Sequence, residues 1–111
     1  MSEETEDLAG LFRSAHSGTG TPWLSAEAAD RLVGYALALG EGVSMMEAAA
    51  YVLSEPVRES DWEILGADAP GENWNDHRDP VRAQALFRRK LRQAALAGAR
   101  LQYRLWFAPG R

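Results

Sequence analysis

A chain of 111 residues with no cysteine and a formal net charge of −4 has room for one domain with a single core, and excludes a disulfide framework, a thiolate metal site and a thiol nucleophile. Such a chain buries roughly 60–70% of the surface its unfolded form exposes, enough to fold without covalent staples. No apolar run reaches the roughly 18–20 residues that span a bilayer. The acidic start Met1-Ser2-Glu3-Glu4-Thr5-Glu6-Asp7 is opposite in charge to a signal peptide, so the expected location is the cytoplasm, with no membrane partner.

Nineteen alanines and 13 leucines stand against five valines and one isoleucine. Small and straight-chain side chains lose little rotamer freedom in a helix, whereas β-branched ones favour strands. The expected fold class is therefore mainly α: a small single-domain helical bundle of four to five helices, with a C-terminal extended segment or strand. Residues 1–7 are expected to form an acidic disordered N-terminus and residues 8–111 a single helical domain.

In chain order, Leu8, Leu11 and Phe12 give the apolar stripe of a first short helix. Ser14 to Pro22, rich in Ser, Gly and Thr, reads as a flexible connector. Ser25 is a natural N-cap for a helix whose apolar face is Ala28, Leu32, Tyr35, Ala36 and Leu39, ended by Gly40. Ser44 and Glu47 form an S-x-x-E capping box that predicts a helix from Met45 to about Leu53, stopped by Pro56. Ser60 and Glu63 repeat the box for a shorter helix, Asp61 to Leu65, closed by Gly66. The stretch from Gly66 to Asp79 has no periodicity, and loops of that length in small domains tend to be functional or pinned by their own side chains.

Asp79-Pro80 is a strong helix start, and the helix should run to about Ala97 before Gly98. Beyond it, Leu101, Tyr103, Leu105 and Phe107 alternate as in a strand, while Arg100/Arg104 and Leu101/Leu105 also match helical spacing. The aromatics and Pro109 favour the strand. Such a strand needs a partner, and no second clean strand is visible. It is expected to pair with a short irregular segment or with another chain.

Charge is unevenly distributed. Residues 1–76 hold 15 acids and 3 bases, and residues 77–111 hold 9 bases and 1 acid. At about 100° per residue, Arg82, Arg88, Arg89 and Arg92 share one sector of the helix that begins at Pro80, opposite Ala83, Phe87, Leu91 and Ala94. Guanidinium groups pair bidentately with carboxylate or phosphate, so this face is a candidate binding surface. The plainer reading is a solvated face partly neutralised by the protein's own acids. Arg104 and Trp106, in the aromatic tail behind the helix, complete the candidate set.

Gly42-Val43-Ser44-Met45-Met46-Glu47-Ala48-Ala49-Ala50 resembles the opening of a helix-turn-helix of small phage or bacterial DNA-binding proteins. A recognition helix needs basic and amide side chains, and no Lys or Arg lies between Leu32 and Val57, so the motif is set aside. In the loop Asn73 to Asp79, His77 could serve as a general base oriented by Asp76 or Asp79, with Trp74 and Arg78 beside it. A metal site would need three or four converging ligands, and His16 is the one other imidazole. No phosphate-cradling loop or nucleophile elbow is present, and neither a metal nor a cofactor is expected. Four tryptophans, Trp23, Trp62, Trp74 and Trp106, are many for this length and suit either loop anchoring or an interface.

The reading that follows is a non-enzymatic binding or regulatory protein, an inhibitor among the options, that associates stoichiometrically with a protein or nucleoprotein partner. Self-association of one chain's basic end with another's acidic front is a related form. The alternatives are a nucleic-acid-binding protein using the arginine face of the 80–97 helix, and a small hydrolase or metal-dependent enzyme using His77.

Overall fold

The strongest cap signals in the sequence are realised as helix boundaries. In the computed structural model, which describes residues 8–52, 55–59, 63 and 79–110, the elements run α1 (Leu8–Ser14), α2 (Ala26–Ala38), β1 (Glu41–Val52), β2 (Glu55–Arg58), α3 (Pro80–Leu96) and β3 (Gln102–Pro109). The Ser25 side chain accepts the Ala28 N–H to open α2, and the Asp79 carboxylate accepts from Val81 and Arg82 to open α3 at Pro80. Gly40 and Gly98, just past the two helices, take φ of +78° and +75°.

The segment predicted as the capped helix 45–53 is instead the central strand β1. The described residues form three helices and a three-stranded antiparallel sheet of order β2-β1-β3. This is a mixed α/β fold, not the mainly α bundle of four to five helices that composition suggests. The physical reason lies in pairing. β3 offers a full ladder from Gln102 to Pro109, and β1 meets it in antiparallel register from Ala49↔Gln102 to Glu41↔Pro109. Helix propensity differs among ordinary residues by only a few tenths of a kcal/mol each, less than ladder pairing plus burial supplies. Ser44, the expected N-cap, instead lies where the register shifts between Val43 and Met45. The helix-turn-helix resemblance at Gly42–Ala50 falls with the helix.

Alternation then sorts the side chains. Tyr103, Leu105 and Phe107 are buried on one face, opposite Ala48, Met46 and Val43 of β1. Against this face pack Ala28, Leu32, Val33 and Ala36 of α2 with Leu86 and Phe87 of α3, in one continuous core. Phe87, Leu32, Met46 and Leu105 are its largest fully buried side chains, each contributing roughly 1.5–3 kcal/mol by burial. α1 joins through Phe12, whose ring lies 5.9 Å from Phe107 and 5.6 Å from Tyr35.

β2 follows β1 across residues 53–54, with Val52 paired to Glu55, and Pro56 sits in this edge strand, where a missing N–H is tolerated. The outer edge of β3 is covered by the connector expected to be flexible. Leu24 and Tyr103 exchange both backbone bonds at 2.7 and 2.8 Å, Thr21 N donates to Leu105 O, and Phe107 N donates to Ala15 O. The aromatic strand thus pairs with an irregular segment on one side, as its sequence demanded, and with β1 on the other. The connector is fixed further by a close approach: Gly20, at φ +72°, lies so near the Trp106 ring that a Cβ there would be 2.6 Å from its Cε2. Only glycine satisfies both constraints.

The predicted helix 61–65 and the loop 66–78 lie outside the described residues, as do residues 1–7, except that Glu63 is described and is not helical. No helix among the described residues is long and apolar enough to cross a membrane.

Candidate functional site

The six residues expected to form a binding surface divide between two faces of the molecule. α3 buries Ala83, Leu86, Phe87 and Ala94, so its opposite side faces outward. On that side, helical spacing lines up Val81, Ala85, Arg88, Arg89, Arg92 and Leu96 as one exposed ridge. Arg88 Nε donates to Asp30 Oδ1 of α2 at 3.0 Å, with both side chains about half exposed. Arg82 also has an interaction of its own. Arg89 and Arg92 make no ion pair or hydrogen bond through their side chains to any described residue. A shallow depression of about 500 Å³ is lined by Val81, Gln84, Ala85, Arg88, Arg89 and Arg92. At the ends of the ridge, Val81 is 64% and Leu96 82% exposed.

Arg104 and Trp106 alternate with the core-facing residues of β3 and so belong to the sheet's other face. Both are held within the fold. The Arg104 guanidinium lies 4.5 Å from the centroid of the Trp23 ring and donates through Nε to Thr21 O at 3.0 Å. Trp106 packs on Gly20. They therefore tie the connector to the sheet and do not extend the arginine ridge of α3.

Beside them runs an ion chain that sequence reading did not find. Arg58 of β2 donates through Nη2 to Glu63 Oε1 at 2.9 Å and through Nε to Glu63 Oε2, and its Nη1 lies 2.9 Å from Glu47 Oε2. Glu63 Oε2 also accepts the Ala48 backbone N–H at 2.9 Å, and its side chain is 1% exposed. The hydrogen bond to Glu63 pushes the Arg58 pKa above its ordinary value, against an opposing effect of burial, with the Glu63 and Glu47 charges adding to it. Glu47 was expected as a capping-box residue. Its strand position aims it across the sheet at Arg58, with Arg104 Nη1 at 3.8 Å. Nothing in local sequence signals these pairs, because the partners come from different strands and a following segment.

His16 is fixed between Phe12 O, 2.8 Å from Nδ1, and Glu41 Oε1, 2.6 Å from Nε2, joining the end of α1 to the start of β1. It holds those two elements together and brings no second imidazole to a ligand cluster. Among the described residues no three His, Asp or Glu side chains converge to hold a metal. Trp74, His77 and Arg78 lie outside the described residues. No protein-family model, no curated protein and no solved structure matches the chain.

Proposed function

We propose that the chain is a non-enzymatic binding protein that docks stoichiometrically, as a regulator or inhibitor does, on an acidic surface of a protein partner through the outer ridge of α3. The observation that supports this is the ridge itself. Arg89 and Arg92 are exposed and unpaired among the described residues, between the exposed apolar ends Val81 and Leu96. Arginine with apolar side chains, rather than lysine with glutamate, is the composition enriched in protein interfaces. A planar guanidinium meets a carboxylate bidentately, and its weak hydration lowers the penalty of burying it there.

A continuous polyphosphate is the poorer match. Asp30 stands at the edge of the ridge beside Arg88, and the chain as a whole carries −4. A long phosphate backbone meets that repulsion along its length, whereas a compact acidic patch avoids it.

The test is capture from the source cells with the tagged full chain, before and after nuclease treatment, compared with Arg89→Glu/Arg92→Glu. The expected result is a protein recovered near one-to-one, resistant to nuclease and reduced at least tenfold by the double variant. Capture that vanishes with nuclease, or that is indifferent to the charge reversal, overturns the proposal.

A further inference from the structure

Away from the arginine ridge, a cleft of about 250 Å³ opens between the first turn of α2 and the last turns of α3, with the start of β3 at its base. Its walls are apolar: Leu91, Ala94 and Ala95 of α3, with Ala99 and Leu101 following it. Three groups of one electrostatic character line or border it. Ser25 caps the Ala28 N–H, which leaves the Ala26 and Glu27 amides of a 13-residue helix without intrahelical partners. Arg100 is exposed and has no side-chain partner among the described residues. Tyr103, 2% exposed, also lines the cleft, and its hydroxyl has no hydrogen-bond partner among the described residues.

The Tyr103 hydroxyl is the decisive feature. Its backbone is fixed on both sides, by Leu24 and by the ladder to β1, and its side chain is packed in the core. Burial alone pushes its pKa up to about 12, so it remains a neutral O–H donor at physiological pH. A buried donor without an acceptor lacks about 1–3 kcal/mol that a suitable acceptor would return.

We infer that this cleft binds a small organic monocarboxylate with an apolar body, its carboxylate taken by the Tyr103 hydroxyl, the first-turn amides of α2 and the Arg100 guanidinium. The body lies against Leu91, Ala94 and Leu101. The volume equals about eight waters at roughly 30 Å³ each, which suits a molecule the size of benzoate. The Glu27 carboxylate on the rim disfavours a second negative charge, so a monoanion is selected over phosphate.

The probe is benzoate, titrated into the full chain by ¹H–¹⁵N NMR, with benzamide and inorganic phosphate as comparison arms. Saturable shifts at Ala26, Glu27 and Leu101 are expected in the millimolar range that so small a ligand reaches. Tyr103→Phe should weaken binding about tenfold or more, as should Arg100→Gln, and benzamide should bind more weakly than benzoate. Because the hydroxyl has no acceptor among the described residues, Tyr103→Phe should raise the melting temperature at neutral pH or leave it unchanged. No saturable shift with benzoate, phosphate binding as tightly, or equal affinity in both variants overturns the inference. So does a Tyr103→Phe protein that is already destabilised without ligand.

Discussion

Glu63 offers the sharpest test of how the sheet is held. Its carboxylate is buried, accepts the Ala48 N–H at 2.9 Å and receives Arg58 bidentately. Glu63→Ala removes all three bonds at once. The Ala48 amide is itself buried, on the side of β1 facing away from β3, where β2 has already ended at Arg58. Leaving that donor unsatisfied costs about 1–3 kcal/mol. Arg58 is 48% exposed and rehydrates, so losing its pair adds only about 0.5–1 kcal/mol. The sum, about 1.5–4 kcal/mol, corresponds to a fall of roughly 5–20 °C at about 3–5 °C per kcal/mol for a domain of this size. The assay is thermal unfolding by circular dichroism, with amide exchange at Ala48 as the local readout. Arg58→Met should cost less in protein with Glu63 already removed than in the wild type, since the two side chains act as one unit. A loss below about 1 kcal/mol, or unchanged protection at Ala48, refutes the claim that Glu63 completes the β1 edge.

Three further outcomes follow from the same geometry. Gly20→Ala combines a positive φ with a Cβ 2.6 Å from the Trp106 ring, and should cost about 2–4 kcal/mol, with much of the steric part relieved in Gly20→Ala/Trp106→Ala; chemical denaturation of the two proteins checks this. Tyr103 is raised in the folded state to about 12, so its contribution is complete below the unfolded value of about 10 and is lost as pH climbs toward 12. Stability should therefore fall by up to about 3 kcal/mol over that window, and Tyr103→Phe should remove this part of the alkaline loss in urea melts taken at successive pH values. Arg89→Glu/Arg92→Glu should leave the unfolding free energy within about 0.5 kcal/mol per site of the parent, because neither side chain is paired among the described residues; a larger loss would mean that the ridge is structural.

Local chemistry in the sequence marked the helix ends well. Ser25, Asp79-Pro80, Gly40 and Gly98 each act within one turn of chain, so their meaning does not depend on the rest of the molecule. β1 was hidden for the converse reason. Met45-Met46-Glu47-Ala48-Ala49-Ala50 consists of good helix formers, and the register shift at Ser44 breaks the two-residue period that would have revealed Val43, Met46 and Ala48 as one face. The clue was indirect. An alternating aromatic strand at 101–107 requires a ladder, and the alanine-rich segment supplies it on one edge while residues 15–24 supply it on the other. The candidate site was legible to the same degree. Periodicity placed four arginines on one side of α3, but it could not show that Arg104 and Trp106 face the other way, since that depends on which face of β3 meets the core.

The imbalance of charge along the chain also changes meaning once pairs are traced. Had the acidic front existed to neutralise the basic rear, its carboxylates would meet the arginines of α3. Among the described residues Glu63 is engaged by Arg58, itself a front-end residue, Glu47 by Arg58 and at 3.8 Å by Arg104 of β3, and Glu41 by His16. Asp30–Arg88 is an ion pair that reaches α3, with both groups about half exposed, and Arg82 and Lys90 have interactions of their own. An exposed pair of this kind contributes at most about 1 kcal/mol. A carboxylate on a docking partner can therefore displace Asp30 from Arg88 at little expense, and Asp30→Asn should strengthen rather than weaken association by freeing a third arginine beside Arg89 and Arg92. Affinity measured for the captured partner decides it. Weaker binding by Asp30→Asn would mean that the Asp30–Arg88 pair positions the ridge, and that α3 binds through a shape held by α2 rather than through free charge.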